Sequence, residues 1–500
     1  MPPDSTQCSA FDPETFRREG RVVIDWIADY WQSVAQQPVL SQVKPGWVRS
    51  QLSPWAPEQP EPLSAVLADL DRVIVPGLTH WQHPSFFAYF PANASGPSIL
   101  GELLSAGLGV QGMLWATSPA CTELETHMLD WLQQLLGLPD QFCSSTGVGG
   151  GVIQDTASSG LLCAMVAARE RTTSLQSNAQ GVDQLQQRLI AYASEDAHSC
   201  LEKAATIIGI GRESVRKIAT TSSGALDMAA LEAAMQADRD AGRRPFFVVA
   251  TVGTTACGAF DPVPEMAVLA KQHGAWLHVD AAWAGAAALC PEFRGAIVAG
   301  AEQADSWGYN PHKWMLVNFD CHCLWVADRA TLVRALSVKP EYLRNHVSES
   351  GAVIDYSDWQ VPLGRRFRAL KLWLTLRMMG AENLRQRIRD HVAWAAEWAG
   401  WVEADPRFEL LSKPSLSLVC FHLRSGDRDS AALLDRVNRQ GAIYLSHAKV
   451  AGRYALRLSI GGTLTERCHV DHAWQTLSAN APRGSIESKN HAPRCLEDQR

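Results

Sequence analysis

Hydrophobic residues recur every three to four positions near the start of the chain. Over residues 14–40 this spacing places Phe16 and Ile27 on one side of an amphipathic helix. The proline-rich stretch 53–64 cannot continue a helix, so we expect an extended connector there. Because one such helix cannot cover its own apolar face, residues 1–95 are expected to form an arm that packs on a second subunit.

Strands and helices alternate over residues 96–375, the predicted large domain. The pattern predicts a strand leading into a loop over residues 188–198, a strand ending in a Gly/Thr turn over 244–256 and a strand over 275–285. Helices are predicted over residues 201–210 and 265–274. Asp261 is expected to cap the second of these helices, with Pro262 in its first position and Gly274 at its end. A strand, a helix and a strand in so short a stretch favour a parallel sheet. The unbroken apolar runs FFVVA and WLHV are typical of strands buried on both faces.

Residues 376–480 have the pattern of a small α+β domain. The expected elements are a helical stretch over residues 364–403 that breaks near Gly380, strands over 416–423, 442–450 and 454–461, and a helix over 430–439. Residues 481–500 are polar and contain proline, so we expect a disordered tail. The sequence contains no internal repeat.

Composition excludes several classes of protein. The 500 residues are 46% hydrophobic and 19% charged with a net charge of −7, which is typical of a globular protein. No run of lysine and arginine indicates a nucleic-acid partner. No apolar run approaches the ~20 residues that cross a bilayer. The polar N-terminus lacks the plan of a signal peptide, so we expect a cytoplasmic protein.

Twelve cysteines are spread along the chain without a C-x-x-C motif. Most lie in apolar stretches, which favours buried free thiols over disulfides or metal ligands. Cys321, His322 and Cys323 alternate along a predicted strand, and no second ligand pair follows at zinc-site spacing. We therefore expect no metal.

Polar residues follow several of the predicted parallel strands. They occupy residues 194–198, Thr254 and Thr255, Asp280, and residues 309–313. Because ligands of parallel α/β sheets bind at the carboxyl ends of strands, one ligand could contact all of these residues. Their convergence indicates a binding site more strongly than any single residue does.

Asp280 and Lys313 are the pair that pyridoxal 5'-phosphate (PLP) requires. Asp280 ends the apolar run WLHVD, where a carboxylate would seek a cation such as a protonated pyridine nitrogen. Lys313 lies among aromatic and apolar residues, where loss of water makes an amine nucleophilic toward an aldehyde. A helix-capping aspartate and a lysine that extends to water are the ordinary alternatives.

Residues 144–171 are expected to bind a phosphate group. A glycine-rich loop leads to Thr156, Ala157 and Ser158 and then to a helix, whose first N–H groups favour an anion. Neither the Walker A pattern nor the dinucleotide glycine pattern is present. A nucleotide-binding dehydrogenase is therefore disfavoured.

Five stretches resemble the aromatic L-amino-acid decarboxylases, a group of PLP-dependent enzymes. They are residues 83–95, 118–125, 278–285, 310–314 and 362–373, and the similarity continues in order from about residue 11 to 480. The resemblance implies the aspartate-aminotransferase type of PLP fold. It also implies a homodimer with active sites at the subunit interface.

The resemblance assigns roles to residues at matching positions. Lys313 would bind the PLP aldehyde covalently, Asp280 would hold the ring nitrogen, and His198 would stack on the ring. The other cofactor contacts would be Thr156, Ala157, Ser158 and Asn310 at the phosphate, Thr255 and Ala282 at the ring, and His312 beside the lysine. The substrate pocket matches Trp81, Tyr89, Phe90 and Pro91.

Three positions bear on the choice of substrate. Ala92 and Met113 stand where animal members of the family have threonine and phenylalanine, so one polar contact is absent and one wall is more flexible. Gly364 matches a position that is glycine in indole-accepting plant members and often serine in phenol-preferring ones. We expect tryptophan or 5-hydroxytryptophan as substrate, with DOPA, tyrosine and phenylalanine still open.

Tyr342 matches the family's catalytic-loop tyrosine, which the neighbouring subunit supplies to protonate the substrate carbon. Related plant aldehyde synthases have phenylalanine there and form an aldehyde by oxidative deamination. Tyr342 therefore predicts an amine product, with aldehyde synthase as the alternative. A catalytically inactive binding module is a further alternative, but such a protein would be expected to have lost Lys313 or Asp280.

Overall fold

The structure is a computed structural model that describes residues 11–338, 346–349 and 352–482. The helices are α1 (Pro13–Ser33), α2 (Trp47–Gln51), α3 (Leu63–Asp69), α4 (Gly96–Leu108), α5 (Pro119–Leu136), α6 (Ala157–Thr173), α7 (Gln176–Gln180), α8 (Cys200–Ile207), α9 (Met228–Asp240), α10 (Val263–Gln272), α11 (Pro291–Val298), α12 (Pro311–Trp314), α13 (Arg329–Leu336), α14 (His346–Glu349), α15 (Arg368–Ala404), α16 (Asp427–Gln440) and α17 (Arg467–Asn480). The strands are β1 (Gly150–Gln154), β2 (Leu189–Ser194), β3 (Val215–Ile218), β4 (Arg244–Thr251), β5 (Trp276–Asp280), β6 (Ser306–Tyr309), β7 (His322–Val326), β8 (Phe408–Leu410), β9 (Leu418–Leu423), β10 (Ser446–Val450) and β11 (Arg453–Ser459).

A seven-stranded sheet in the order β1-β7-β6-β5-β4-β2-β3 forms the centre of the molecule. The strands from β3 to β6 in this order pair in parallel, whereas β7 is antiparallel to both β6 and β1. The carboxyl ends of β2, β4, β5 and β6 therefore lie at one edge. This mostly parallel sheet agrees with the fold class predicted from the sequence.

Helices cover both faces of the central sheet. Along β4, Val248 belongs to one hydrophobic core together with Met266 of α10. The next residue, Val249, belongs to the opposite core together with Leu161 of α6. Because successive side chains of a strand point to opposite faces, a strand buried on both sides is apolar throughout, as the run FFVVA predicts.

The start of α10 differs from the prediction. Pro262 is the N-cap residue, and Pro264 lies in the first turn of the helix. The buried carboxylate of Asp261 instead accepts hydrogen bonds from the backbone N–H groups of Leu226 and Thr251, each at 2.8 Å. The local sequence suits a cap, but the carboxylate reaches residues distant along the chain. Burial raises the pKa of Asp261 to about 6.

The first helix is shorter than predicted. It ends at Ser33, and a 3₁₀ turn over Val34–Gln36 follows it, so the helix does not extend to residue 40. Pro38, just beyond, restricts continuation of the helix. No residue of α1 is buried. Its apolar side and the start of α4 line an open groove of about 900 Å³.

A four-stranded antiparallel sheet in the order β10-β11-β9-β8 forms the C-terminal region. Its core joins Trp398 of α15 and Phe421 of β9 with residues of α16 and α17. The helical stretch breaks at Gly380, as expected, where φ is 74° and ψ is 153°. The strands are shorter and α16 longer than predicted, because contacts between strands rather than apolar runs set their ends.

The cysteines agree with the prediction of free thiols within the described residues. Eight of the ten described cysteines are buried, whereas Cys143 is half-buried and Cys468 is exposed. Over the same residues no cluster of histidine, cysteine, aspartate or glutamate is arranged to hold a metal ion. No helix of the described chain has both the length and the apolarity needed to cross a bilayer.

Candidate active site

Asp280 and Lys313 meet at the carboxyl edge of the central sheet. Asp280 ends β5 and is buried, with 9% of its surface exposed. One carboxylate oxygen accepts a hydrogen bond from Ala282 N at 3.0 Å. Lys313 lies on α12, directly after β6. Since β5 and β6 are parallel, the residues that follow them lie at the same edge of the sheet.

The side chain of Lys313 is half-buried. Its Nζ lies 5.5 Å from the centroid of the Phe90 ring, and that ring stacks on Trp283 at 4.3 Å. Burial lowers the pKa of Lys313, Asp280 opposes this effect, and Arg457 adds to it. A larger fraction of the amine is therefore unprotonated and nucleophilic than for a lysine in water.

Arg457 is a site residue that the sequence analysis missed. Its guanidinium lies 5.1 Å from the Phe90 ring centroid and donates to Ala256 O at 3.1 Å and to Ser446 Oγ at 2.9 Å. The buried Nη2 has no hydrogen-bond partner among the described residues. An arginine within the otherwise apolar strand YALRLS is a signal that could have identified it.

The start of α6 has the features of an anion site. Thr156 is the N-cap residue, and its side chain makes no hydrogen bond to the helix. Ala157 and Ser158 begin the helix. Backbone N–H groups in the first turn have no preceding turn of helix whose carbonyl oxygens could accept from them. Asn310, which follows β6, is buried and is the N-cap residue of α12, although its side chain makes no capping hydrogen bond.

The remaining predicted cofactor residues lie around this edge. His198 is exposed in the single chain, and partial desolvation by the neighbouring protein lowers its pKa. Its Nδ1 accepts from Cys200 N at 3.2 Å. Thr255 is exposed and Ala282 half-buried. His312 is buried, and its Nδ1 already accepts from Cys321 N at 2.9 Å.

The predicted substrate residues lie within residues 81–91, which we call the aromatic segment. Trp81 stacks on Tyr89 with 5.7 Å between ring centroids, and both residues are exposed in the single chain. Tyr89 has a φ of 56°, a backbone conformation that is rare for a bulky residue, and Ser446 Oγ accepts its N–H at 3.0 Å. Phe90 and Pro91 are buried beside it.

Asn93 is the second residue that the sequence analysis missed. Its Nδ2 donates to the carbonyl oxygens of Lys313 and Gly461. Its Oδ1 accepts from the N–H and hydroxyl of Thr463. Asn93 thus holds the aromatic segment, α12 and the C-terminal region together, a role that the local sequence PANAS does not indicate.

Met113 and Gly364 lie on neighbouring segments of the chain, and Gly364 is exposed. Gly112 N donates to Arg365 O at 3.2 Å. Among the described residues, no hydrogen bond, ion pair or ring contact joins Met113 or Gly364 to Phe90 or Lys313. Tyr342 lies outside the described residues.

Comparison with known proteins decides the family. The pyridoxal-dependent decarboxylase conserved domain matches residues 45–424. The chain belongs to this decarboxylase family. It is 46% identical over 479 residues to phenylacetaldehyde synthase of Arabidopsis thaliana, covering 94% of this chain and 96% of the relative. It is 44% identical over 481 residues to tryptophan decarboxylase 2 of Oryza sativa subsp. japonica, covering 94% and 95%.

Solved structures agree with this family and with the predicted fold. The crystal structure of Oryza sativa TDC with PLP and tryptamine superposes with a TM-score of 0.92 at 41% identity, covering 95% of this chain and 99% of that one. Rhodiola rosea 4-hydroxyphenylacetaldehyde synthase superposes with a TM-score of 0.88 at 38% identity, covering 95% and 99%. The PLP-dependent transferase fold and the PLP cofactor are therefore confirmed.

The groups of this decarboxylase at the sheet edge fit PLP. PLP presents an aldehyde, a ring nitrogen that is protonated when bound, and a phosphate. Lys313 offers a desolvated amine, and Asp280 offers a buried carboxylate whose second oxygen makes no hydrogen bond within the described chain. The first N–H groups of α6 suit the phosphate. The donor set therefore matches the charges of the cofactor.

Proposed function

We propose that this decarboxylase converts an aromatic L-amino acid to the corresponding amine and CO2. The observation that carries the proposal is the arrangement around Phe90. A desolvated amine, an arginine that forms no salt bridge with the described residues and stacked aromatic rings surround one position at the strand edge. The amine suits the aldehyde of PLP, whereas the arginine suits the carboxylate of an amino acid and the rings suit an aromatic side chain.

We assign the cofactor contacts as follows. Lys313 binds the aldehyde, and Asp280 keeps the ring nitrogen protonated. His198, Thr255, Ala282 and His312 surround the ring and the lysine, and Thr156, Ala157, Ser158 and Asn310 bind the phosphate. When bound, PLP accepts the electron pair that the departing carboxylate leaves behind. The buried carboxylate of Asp280 would favour the positively charged, protonated ring nitrogen, and this protonation is what lets the ring accept the electron pair.

Arg457 is the proposed contact for the carboxylate of the substrate. Its Nη2 is buried without a hydrogen-bond partner in the described chain, and a buried guanidinium favours an anion. Holding the carboxylate orients the bond that breaks, and this orientation determines which bond of the substrate reacts. The aromatic side chain would then contact Trp81, Tyr89, Phe90 and Pro91.

Tyr342 is the proposed proton donor to the substrate carbon, and an amine is the expected product. The relationship to phenylacetaldehyde synthase makes aldehyde formation the second candidate. Product analysis separates the two reactions. Amine and CO2 in equal amounts support the decarboxylase, whereas aldehyde with hydrogen peroxide as the main products would reject it. The Tyr342→Phe variant is expected to shift product from amine to aldehyde.

Tryptophan or 5-hydroxytryptophan is the proposed substrate, on the evidence of Gly364. A Cβ at this position would lie 3.3 Å from Gln111 Nε2, so a side chain there would displace Gln111 or point elsewhere. Competition between tryptophan and tyrosine measures the preference. Gly364→Ser is expected to lower kcat/KM for tryptophan relative to tyrosine, and Gly364→Ala controls for added volume without a hydroxyl.

A homodimer with shared active sites is the proposed assembly. The groove between α1 and α4 is lined mainly by apolar side chains, and a second copy would cover it. Residues 1–95 would then serve as the arm for dimer packing, next to the domains proposed over 96–375 and 376–480. Residues 483–500 of the predicted tail lie outside the described residues.

The first experiment tests the cofactor and the reaction together. The purified protein should show the visible absorbance of bound PLP, and borohydride should remove that band and leave a PLP adduct on Lys313. Lys313→Ala should lose the covalent adduct. A protein that stays colourless after addition of PLP would reject the proposed function.

A further inference from the structure

His322 occupies a buried position between two elements of the cofactor site. It begins β7, pairs antiparallel with Gln154 of β1, and has 2% of its surface exposed. A Cβ on Gly160 of α6 would collide with its Nε2, and a Cβ on Gly308 of β6 would lie 2.9 Å from its Cε1. The two glycines therefore leave the space that the imidazole ring fills.

The hydrogen bond between His322 and Asn310 determines which ring nitrogen carries the proton. Its Nδ1 lies 2.6 Å from Oδ1 of Asn310. A carbonyl oxygen only accepts, so Nδ1 must carry the proton. Nε2 is buried and has no partner among the described residues. Burial lowers the pKa of His322 well below its usual value, which agrees with a neutral ring.

This bond determines what Asn310 can offer to a ligand. With its oxygen held by His322, the amide of Asn310 presents its NH2 group as the remaining donor. That group donates no hydrogen bond to another described residue. Gly160, which contacts the other side of His322, lies in the first turn of α6. His322 therefore touches both halves of the proposed phosphate site.

We propose that His322 is a positioning residue for the cofactor phosphate. Its Nδ1–H fixes the orientation of the Asn310 amide, so that the NH2 group rather than the oxygen faces the phosphate. A reversed amide would place an acceptor oxygen toward the anion and repel it. The inference rests on the proposed function, because it assumes that Asn310 contacts the PLP phosphate.

Two substitutions distinguish the effect of the Nδ1 donor on PLP binding from the effect of the ring volume. His322→Asn places an amide N–H near the position of Nδ1, whereas His322→Leu fills space without a donor. Binding of PLP and of pyridoxal, which lacks the phosphate, is measured on the cofactor-free full-length chain. We expect His322→Leu to weaken PLP binding about tenfold, the effect of one charge-assisted hydrogen bond, and pyridoxal binding less than about twofold. His322→Asn should retain PLP affinity within about threefold of the parent.

A double-mutant cycle tests whether His322 acts through Asn310. Asn310→Ala removes the donor itself, so His322→Leu should cause no further loss of PLP affinity in that background. Additive losses would overturn the proposal. The imidazole nitrogen shifts of the parent holoenzyme provide a second test that does not depend on a variant folding. A proton on Nδ1 supports the proposal, and a proton on Nε2 overturns it.

The outcomes distinguish this inference from the proposed function. A parent chain that binds no PLP rejects the proposed function. A parent that binds PLP and forms amine, with a His322→Leu variant of unchanged PLP affinity, rejects only the role of His322. Equal losses of PLP and pyridoxal binding in His322→Leu also overturn the proposal, because the effect would then not depend on the phosphate.

Discussion

Lys313 and Arg457 lie close to the same aromatic ring, that of Phe90. The Lys313 Nζ is 5.5 Å from the ring centroid and the Arg457 guanidinium carbon is 5.1 Å from it. Arg457 lowers the pKa of Lys313, although desolvation is the larger cause. Two basic groups beside one ring, with the buried carboxylate of Asp280 nearby, favour the binding of an anion at this ring.

Replacing Arg457 should weaken binding of the amino acid but not of the amine. We expect Arg457→Met to raise KM for the substrate roughly 10- to 150-fold, the range for a hydrogen bond to a charged group. Inhibition by the amine product, which lacks the carboxylate, should change less than about threefold, within one neutral hydrogen bond. Arg457→Lys keeps the charge but not the paired N–H donors, so an intermediate KM is expected. Equal losses for substrate and amine would contradict this role.

Two substitutions of Asn93 should destabilise the fold, aspartate more than alanine. Asn93→Ala leaves the carbonyls of Lys313 and Gly461 and the N–H of Thr463 without their partner, at a cost of roughly 2–4 kcal/mol in the free energy of unfolding. Asn93→Asp should cost more at neutral pH, because a carboxylate would then face two carbonyl oxygens. Denaturant unfolding measures both. An aspartate variant more stable than the alanine variant would contradict the assigned hydrogen bonds.

His391 should make the protein sensitive to acid. Its Nδ1 accepts a hydrogen bond from Trp314 Nε1 at 2.9 Å, and burial lowers its pKa to about 3. Since the unfolded chain binds this proton near pH 6.5, the contribution to stability is complete above that pH and is lost as pH falls toward 3. His391→Asn retains an acceptor that does not titrate. The parent should therefore lose about 1.4 kcal/mol per pH unit relative to this variant below pH 6.5.

A parallel pH dependence of the parent and His391→Asn would contradict this account. The difference between the two proteins is the useful quantity, because other buried histidines titrate equally in both. Their free energies of unfolding should be compared from about pH 7 down to about pH 4.5, across the upper half of the window between the two pKa values.

The groove between α1 and α4 allows the proposed dimer to be tested with two matched substitutions. Ile24 and Val22 are each 46% exposed, but only Ile24 lines the groove. We expect Ile24→Glu to weaken the dimer about 100-fold or more, because it would bury an unpaired carboxylate. Val22→Glu should leave assembly unchanged. Sedimentation over a range of concentrations measures both, and equal behaviour of the two variants would reject the groove as the interface.

The fold and the position of the site could be predicted because they depend on local pattern. Unbroken apolar runs identify strands buried on both faces, and parallel order then brings Asp280 and Lys313 to one edge. The predicted start of α10 was wrong, because Asp261 accepts hydrogen bonds from Leu226 and Thr251 rather than from its own helix. A local sequence pattern does not contain that information.

Arg457 and Asn93 were missed for a related reason. Arg457 belongs to β11 of the C-terminal sheet, and only the packing of that sheet beside Phe90 gives it a place in the site. Asn93 has no charge and lies in a loop of small residues, so its four hydrogen bonds are evident only once the three segments it joins are assembled. The roles assigned to the remaining site residues stay predictions.

The hydrogen bonds of Asn93 also constrain when the site can form during synthesis of the chain. They join residues separated by 220 and 368 positions. Contacts this distant in sequence form late, because the intervening chain must first become ordered. While the ribosome has yet to release β11 and the residues after it, the aromatic segment lacks its final attachment. A nascent chain can therefore complete the central sheet before it is able to hold a substrate.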